Sequence, residues 1–72
     1  MNIAMAESAF LGEPLVFFDG DHSAQEPRWF LMNRVGEKHV LLVFTVRNRK
    51  IRIISARFMH AKEVKKYVSK ID

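Results

Sequence analysis

Apolar residues follow helical spacing at both ends of the chain. Residues 3–11 are rich in helix-favouring side chains, and Gly12 ends the predicted helix. Toward the C-terminus an apolar stripe recurs at helical spacing, formed by Ala61, Val64, Tyr67 or Val68, and Ile71. The pattern therefore predicts one helix at each end of the chain.

Between the predicted helices the pattern is that of extended chain. Residues 15–18 are all apolar and follow Pro14, which predicts a short buried strand or extended segment. Residues 28–34 alternate loosely, residues 39–46 are apolar on both faces as in a central strand, and residues 51–56 are rich in β-branched side chains. These last three segments predict three strands.

Turn-forming residues separate the predicted strands. Residues 19–27 predict a loop, residues 35–38 a hairpin turn and residues 47–50 a polar turn. Because such short connections join antiparallel neighbours, the predicted fold is α+β. It is a three-strand antiparallel meander plus an extended N-terminal piece, flanked by the N-terminal and C-terminal helices, which pack on one face. We expect residues 1–72 to form one domain.

The composition is that of a small globular protein, since 49% hydrophobic and 28% charged residues do not suit a disordered chain. No cysteine is present to form a disulfide or a thiolate metal site, so stability must come from packing or from a partner chain. The longest uncharged apolar run, residues 40–46, is far shorter than the ~20 residues of a membrane helix, and the N-terminus lacks the basic region of a signal peptide. We therefore expect a cytoplasmic protein without membrane contact.

Charge divides the chain into two parts. Residues 1–27 hold five acids and no Lys or Arg, for a net charge of −5, whereas residues 28–72 hold all 12 Lys and Arg and three acids, for a net charge of +9. This asymmetry predicts an anionic partner for the second part, with nucleic acid as the first candidate.

Five cations fall within eleven residues: Arg47, Arg49, Lys50, Arg52 and Arg57. One interpretation is a phosphate-binding surface on one sheet face, because arginine offers a permanent charge and a planar fork of donors. The alternative, strongest for Arg49 and Lys50, is a solvated hairpin tip. The spacing of five between Arg52 and Arg57 would point them to opposite faces of a regular strand unless a bulge intervenes.

Other candidates for chemistry stand alone in the sequence. His22, next to Asp21 and Ser23, suits a general acid or base near neutral pH, or is a surface or capping residue. Tyr67 supplies a catalytic or positioning hydroxyl, or is a core residue with its oxygen at the rim. The three histidines lack ligand spacing, so we expect no metal site and no cofactor.

Two residues beside Pro27 also have two interpretations. Glu26 is placed to form an ion pair with Arg28, worth about 0–1 kcal/mol if exposed. Trp29 is either a surface on which a base stacks or, as a large apolar side chain in a strand, part of the core.

Taken together, the residues resemble the BrnT family of ribonuclease toxins from bacterial type II toxin–antitoxin systems, over about residues 3–70. The most specific element is the hexapeptide Arg-Ile-Ile-Ser-Ala-Arg of residues 52–57. The other elements follow in family order: Asp19, His22-Ser23, Glu26, Arg28-Trp29, Phe44-Thr45, Arg47, Glu63 and Tyr67.

This resemblance implies a compact fold similar to the RelE-type toxins, metal-independent cleavage of RNA, inhibition of translation, and neutralisation by a BrnA-like antitoxin. In RelE-type toxins the neighbouring 2′-hydroxyl attacks the phosphodiester while basic side chains stabilise the phosphorane. The implied catalytic residues are Arg57 and Arg47 for phosphate and transition-state charge, and His22 or Tyr67 for proton transfer. The implied RNA-binding residues are Arg28, Arg49, Lys50 and Arg52, the last either structural or RNA-binding.

The chain departs from the family pattern at two places, and these departures suggest a function other than that of an active ribonuclease. The family's first strand and helix, with a Lys-His-Gly motif, have no counterpart ahead of Ile3, so we expect an exposed sheet edge that invites pairing with another copy. Met32-Asn33 stands where the family has Ile-Gly, which predicts a changed strand end with Gly36 in the turn. The alternative function is a catalytically inactive truncated homologue that binds an antitoxin, or a nucleic-acid binder without cleavage.

Overall fold

The computed structural model describes residues 1–22 and 24–71, and of His22 only the backbone. The elements in chain order are α1 (Ile3–Ser8), β1 (Leu15–Phe18), β2 (Trp29–Val35), β3 (Lys38–Arg47), β4 (Lys50–Phe58) and α2 (Ala61–Ile71). A 3-10 turn, Gly20–His22, lies between β1 and β2. The predicted α+β class is confirmed.

The four strands form an antiparallel meander in the order β1-β2-β3-β4. The sheet thus has four strands rather than three, because residues 15–18 pair with β2 as a regular strand. The prediction that these residues are buried is wrong: Val16, Phe17 and Phe18 are exposed. An edge strand has a neighbour on one side only, and the helices leave much of β1 uncovered.

Two-residue turns join the three longer strands. Gly36, at φ +63°, lies in the β2–β3 turn, as predicted. Asn48 and Arg49, at φ +53° and +64°, form the β3–β4 turn. Two successive residues with positive φ form the type of hairpin turn whose twist matches that of the flanking strands. β2 continues through Met32 and Asn33 to Val35 and ends directly before Gly36.

The core lies between α1 and one face of the sheet. Its buried apolar side chains are Ala6, Ala9, Leu31, Val40, Leu42 and Phe44. α1 is shorter than predicted because i→i−3 hydrogen bonds tighten the chain after Ser8, ahead of Gly12 at φ +74°. The buried Asn33 amide donates to the Ala9 and Leu11 carbonyls (2.9 and 2.7 Å) and ties this turn to β2.

The second helix, α2, packs on the opposite face of the sheet. The Tyr67 ring contacts His39 of β3, and the Lys70 ammonium lies 5.2 Å from the Phe17 ring centre. The prediction that both helices share one face is therefore wrong. The physical reason is that β3 is apolar on both sides, so each side requires a covering helix. In the described part of the chain, no helix is long and apolar enough to cross a membrane.

Candidate functional site

An irregularity in β4 places the strand's two end arginines on the same face. Val43 pairs with Ser55, but Phe44 pairs with Ile53, which leaves Ile54 as an extra residue. Such a bulge shifts the alternation of side chains by one position. Arg52, opposite Thr45, and Arg57, opposite Leu41, therefore point to the side of the sheet that α2 packs on. The bulge that the odd spacing required is present.

Strand pairing assigns several more cations to that side, which we call the basic face. Its members within the strands are Arg34, Arg47, Lys50, Arg52 and Arg57. Arg28, directly before β2, joins them because it lines a cavity together with Arg47. Arg47 lies directly opposite Lys50 across the β3–β4 hairpin. Like charges placed directly opposite each other destabilise a sheet. This end of the basic face therefore attracts an anion.

A cavity of about 520 Å³ opens at this end of the basic face, and we call it the arginine pocket. Its lining residues are Ala24, Gln25, Glu26, Arg28 and Arg47. The Arg47 Nη2 donates a hydrogen bond of 2.6 Å to the Glu26 Oε2. This hydrogen bond, together with the charges of Arg47, Arg52 and Arg28, lowers the pKa of Glu26. Arg47 thus bonds to the carboxylate, Arg28 lines the same cavity, and Arg52 adds its positive charge.

Loop and strand positions hold Glu26 in place. It precedes Pro27, whose carbonyl accepts a hydrogen bond from the hydroxyl of the fully buried Thr45. Thr45 is the cross-strand partner of Arg52, so the loop and the two strands meet at this point. Glu26 was expected to pair with Arg28. Its carboxylate instead accepts a hydrogen bond from Arg47, and Arg28 adds a favourable charge.

A second charged cluster lies where α2 meets β4. The Arg57 guanidinium donates to both Glu63 oxygens, at 2.7 and 2.8 Å. Glu63 also accepts from the His60 backbone N–H (2.8 Å), which is half of a capping box at the start of α2. The hydrogen bonds from Arg57 and His60 lower the pKa of Glu63 to about 2. The Glu63 hydrogen bond in turn raises the pKa of Arg57.

Tyr67 lies next to this second cluster. It is one turn of α2 after Glu63, it is buried, and its ring meets the half-buried His39 edge-on at a centroid distance of 5.7 Å. The Tyr67 ring is therefore part of the packing between α2 and the sheet.

The predicted site residues fall at two ends of the basic face. Arg28, Arg47 and Arg52 come together around Glu26, and Lys50 lies beside them opposite Arg47. Arg57 and Tyr67 lie at the other end, because the partner of Arg57, Leu41, is six residues before Arg47 along β3, or roughly 20 Å. Arg49 is in the β3–β4 turn. The His22 side chain and Ser23 lie outside the described residues.

Sequence reasoning missed three partners in these clusters. Glu63 lies three residues after His60, and a Glu at this distance from the residue before a helix is typical of a capping box. This spacing could have predicted that Glu63 lies in the first turn of α2. The Glu26–Arg47 bond and the His39–Tyr67 contact join residues more than twenty positions apart. Such contacts depend on the sheet register, which the local pattern does not contain. Among the side chains that the structure describes, which leave out His22, no three His, Asp or Glu residues are grouped so that they could hold a metal ion.

The fold and site define a small α+β protein whose antiparallel sheet has one apolar face beneath a short helix and one basic face. The family model of BrnT, the ribonuclease toxin of type II toxin–antitoxin systems, matches residues 1–63. That match covers most of the chain, so the chain belongs to the BrnT toxin family. A search of curated proteins and a search of solved structures found no match. The resemblance seen in the sequence is confirmed, and with it come RNA as the target and a cognate antitoxin as the partner of this class of toxin.

Proposed function

We propose that this chain is a metal-independent endoribonuclease that inhibits translation in the cytoplasm and is neutralised by a BrnA-like antitoxin. Residues 1–72 would act as one BrnT-like domain. Membership of the ribonuclease toxin family supports the general activity. The observation that carries the proposal is the arginine pocket, an open cavity lined by Arg28 and Arg47, to which Arg52 adds its positive charge.

The arginine pocket suits a phosphodiester for two reasons. Arginine binds phosphate oxygens through paired N–H donors, and its charge does not vary with biological pH. Arg47 is also accessible, with 55% of its side chain exposed. Lys50 and Arg49, at the adjoining hairpin, extend the positive surface along which a polynucleotide backbone would run.

In the proposed reaction the 2′-hydroxyl of one nucleotide attacks the neighbouring phosphorus. A bond forms between the 2′-oxygen and phosphorus, and the bond from phosphorus to the 5′-oxygen breaks. The 2′-hydroxyl gives up its proton and the departing 5′-oxygen takes one up, so the products are a 2′,3′-cyclic phosphate and a 5′-hydroxyl, and the step needs only a proton acceptor and a proton donor. Arg47 would stabilise the charge that develops on the phosphorane, since fixed donors act most strongly where charge appears.

The remaining roles are assigned to both ends of the basic face. The resemblance implies transition-state charge from Arg57, but Arg57 lies roughly 20 Å from Arg47 along the sheet, so here it would bind a second phosphate of the same RNA once that phosphate displaces Glu63 from its guanidinium. Proton transfer is proposed for His22 or Tyr67. The RNA-binding residues are Arg28, Arg49, Lys50 and Arg52.

The test is cleavage of an end-labelled RNA by the purified chain in the presence of a chelator. We expect fragments that end in a 2′,3′-cyclic phosphate, greatly reduced with Arg47→Ala and with Arg57→Ala. The matched control is Lys38→Ala, because Lys38 lies on the other face of the sheet, against the Phe58 ring. Circular dichroism melts must show that each variant is folded, since loss of the Arg57–Glu63 pair also loosens α2.

A second candidate is a catalytically inactive module that binds an antitoxin or nucleic acid. The observation in its favour is that Arg47 and Arg57, about 20 Å apart, are each bound to a carboxylate. The exposed edge strand β1 offers a further surface for an antitoxin strand or for a second copy of the chain. Intact RNA recovered from a folded chain that still binds its antitoxin would favour this candidate over the ribonuclease.

A further inference from the structure

Glu26 brings a negative charge to a pocket that otherwise suits an anion. Its carboxylate bonds to Arg47, and it is drawn electrostatically to Arg52 and Arg28 as well. The pocket that it lines is large enough to admit part of a nucleotide, at about 520 Å³. A carboxylate oxygen in this position makes the same kind of contact with arginine that a phosphate oxygen would make.

Stability of the fold does not account for this arrangement. The Glu26 and Arg47 side chains are 32% and 55% exposed, and exposed ion pairs contribute little to folding. The segment is already attached to the sheet by the hydrogen bond from Thr45 to the Pro27 carbonyl. The backbone is therefore anchored beside the pocket whether or not the Glu26 carboxylate is charged.

We propose that the Glu26 carboxylate is an internal competitor for the arginine pocket, which an RNA phosphate displaces on binding. The identity of the ligand as RNA rests on the proposed function; the competition itself rests on the geometry. In the free chain the carboxylate keeps Arg47 extended toward the pocket and lowers the net positive charge there. When a phosphodiester enters, Arg47 exchanges one oxyanion partner for another, and the Glu26 carboxylate turns to solvent.

This role sets RNA affinity rather than catalysis. A permanently positive pocket would hold any polyanion, whereas a pocket with its own carboxylate binds only ligands that replace it. Removal of the charge at Glu26 should therefore tighten binding to the pocket. A residue that merely positioned the arginines would have the opposite effect, because its removal would leave the arginines less ordered and weaken binding.

The experiment measures binding of a fluorescent single-stranded DNA oligonucleotide, which lacks the attacking 2′-hydroxyl and so stays intact. Anisotropy titrations compare the parent chain, Glu26→Gln and Glu37→Gln at several salt concentrations. Glu37 lies in the β2–β3 turn at the other end of the sheet. Glu37→Gln therefore alters the net charge of the chain by the same amount as Glu26→Gln, but far from the arginine pocket. We expect Glu26→Gln to bind roughly fivefold more tightly, from the size of an exposed ion pair, and Glu37→Gln to bind like the parent.

Two further readings separate competition from a general charge effect. The slope of log affinity against log salt should steepen for Glu26→Gln by up to about 0.7, the value for one additional phosphate contact on a single strand. In an Arg47→Ala background, the change Glu26→Gln should bring a much smaller gain, because the partner for which the carboxylate competes is gone. An equal gain in both backgrounds would overturn the inference.

The outcomes also distinguish this inference from the proposed function. Tighter binding by Glu26→Gln, with no RNA cleavage by any form, would support the competitor and overturn the ribonuclease. Cleavage of RNA by the parent, with equal or weaker binding by Glu26→Gln, would support the ribonuclease and overturn the competitor. Absence of oligonucleotide binding in both forms would overturn the competitor as well.

Discussion

The Arg57 guanidinium and the Glu63 carboxylate form a two-bond ion pair that joins β4 to the first turn of α2. The same carboxylate accepts the His60 backbone N–H, so one side chain both starts the helix and attaches it to the sheet. An arginine implicated in RNA cleavage is therefore also a structural contact of α2. Any test of Arg57 has to separate these two contributions.

The first prediction concerns the pH dependence of stability. The pKa of Glu63 is lowered from 4.5 to about 2 in the folded chain, so the ion pair stabilises the fold fully above about pH 4.5. As the pH falls from about 4.5 to about 2, Glu63 is protonated in the unfolded chain before it is protonated in the folded chain. The contribution of the ion pair to the free energy of unfolding is lost over this pH range. Because the pair is partly exposed, Glu63→Gln should be only modestly less stable than the parent at neutral pH, and the difference should shrink toward zero as the pH falls to about 2.

Urea unfolding followed by circular dichroism, from neutral pH down to about 2, measures that difference. Glu37→Gln, which removes a carboxylate in the β2–β3 turn, should retain the parent's stability at neutral pH. A gap between Glu63→Gln and the parent that stays constant across the whole range would show that the charge of Glu63 is not what stabilises α2.

The second prediction concerns Asn33, whose buried amide donates to two carbonyls at the end of α1. Asn33→Ala should lower the free energy of unfolding by about 1–3 kcal/mol, because it leaves buried acceptors without a donor. Asn33→Asp should cost more, since a carboxylate places acceptors against acceptors. Chemical denaturation of the three proteins gives the order, and an Asp variant as stable as the parent would refute the assignment of these hydrogen bonds.

The third prediction concerns the difference in stability contribution between buried and exposed apolar side chains. Leu42 is fully buried in the central strand, whereas Ile51 is 55% exposed at the start of β4. Leu42→Ala should lower the free energy of unfolding by about 2–5 kcal/mol, enough to unfold much of so small a chain. Ile51→Ala should change it by no more than about 0.5 kcal/mol. Thermal melts of both variants check the contrast.

The fourth prediction concerns the bulge at Ile54. Deleting Ile54 removes the residue that has no cross-strand partner and leaves Ser55 opposite Val43, so Arg52 and Arg57 stay on the same face. The deletion variant should fold and keep oligonucleotide affinity within a few-fold of the parent. Deletion of Leu42, a paired residue of the central strand, should abolish folding because it shifts the register of β3.

Circular dichroism shows whether each deletion variant folds, and the anisotropy titration measures its affinity for the oligonucleotide. A folded Ile54 deletion that loses more than about tenfold in affinity would show that the bulge itself, rather than the shared face, creates the binding surface. A folded Leu42 deletion would contradict the observed register.

Local sequence patterns were sufficient to predict which segments form helices and strands, and where several of these elements end. The apolar stripe of α2, the two hairpin turns and the apolar β3 were all predictable, because helical repeat, turn chemistry and strand propensity act between near neighbours. The edge position of β1 was not predictable in this way. An apolar run such as residues 15–18 looks the same in a buried strand and in an exposed one, and only its neighbours in the sheet decide between them.

The sequence by itself determined the charge division, the α+β element order and the family, since each is carried by residue type and spacing. Only the tertiary structure decided which charges meet. The bulge at Ile54 places Arg52 and Arg57 on one face, and the strand register brings Arg47 to Glu26 while leaving Arg57 with Glu63 at the other end. The physical reason is that side chains alternate across a strand, so one unpaired residue reassigns every later side chain to a face.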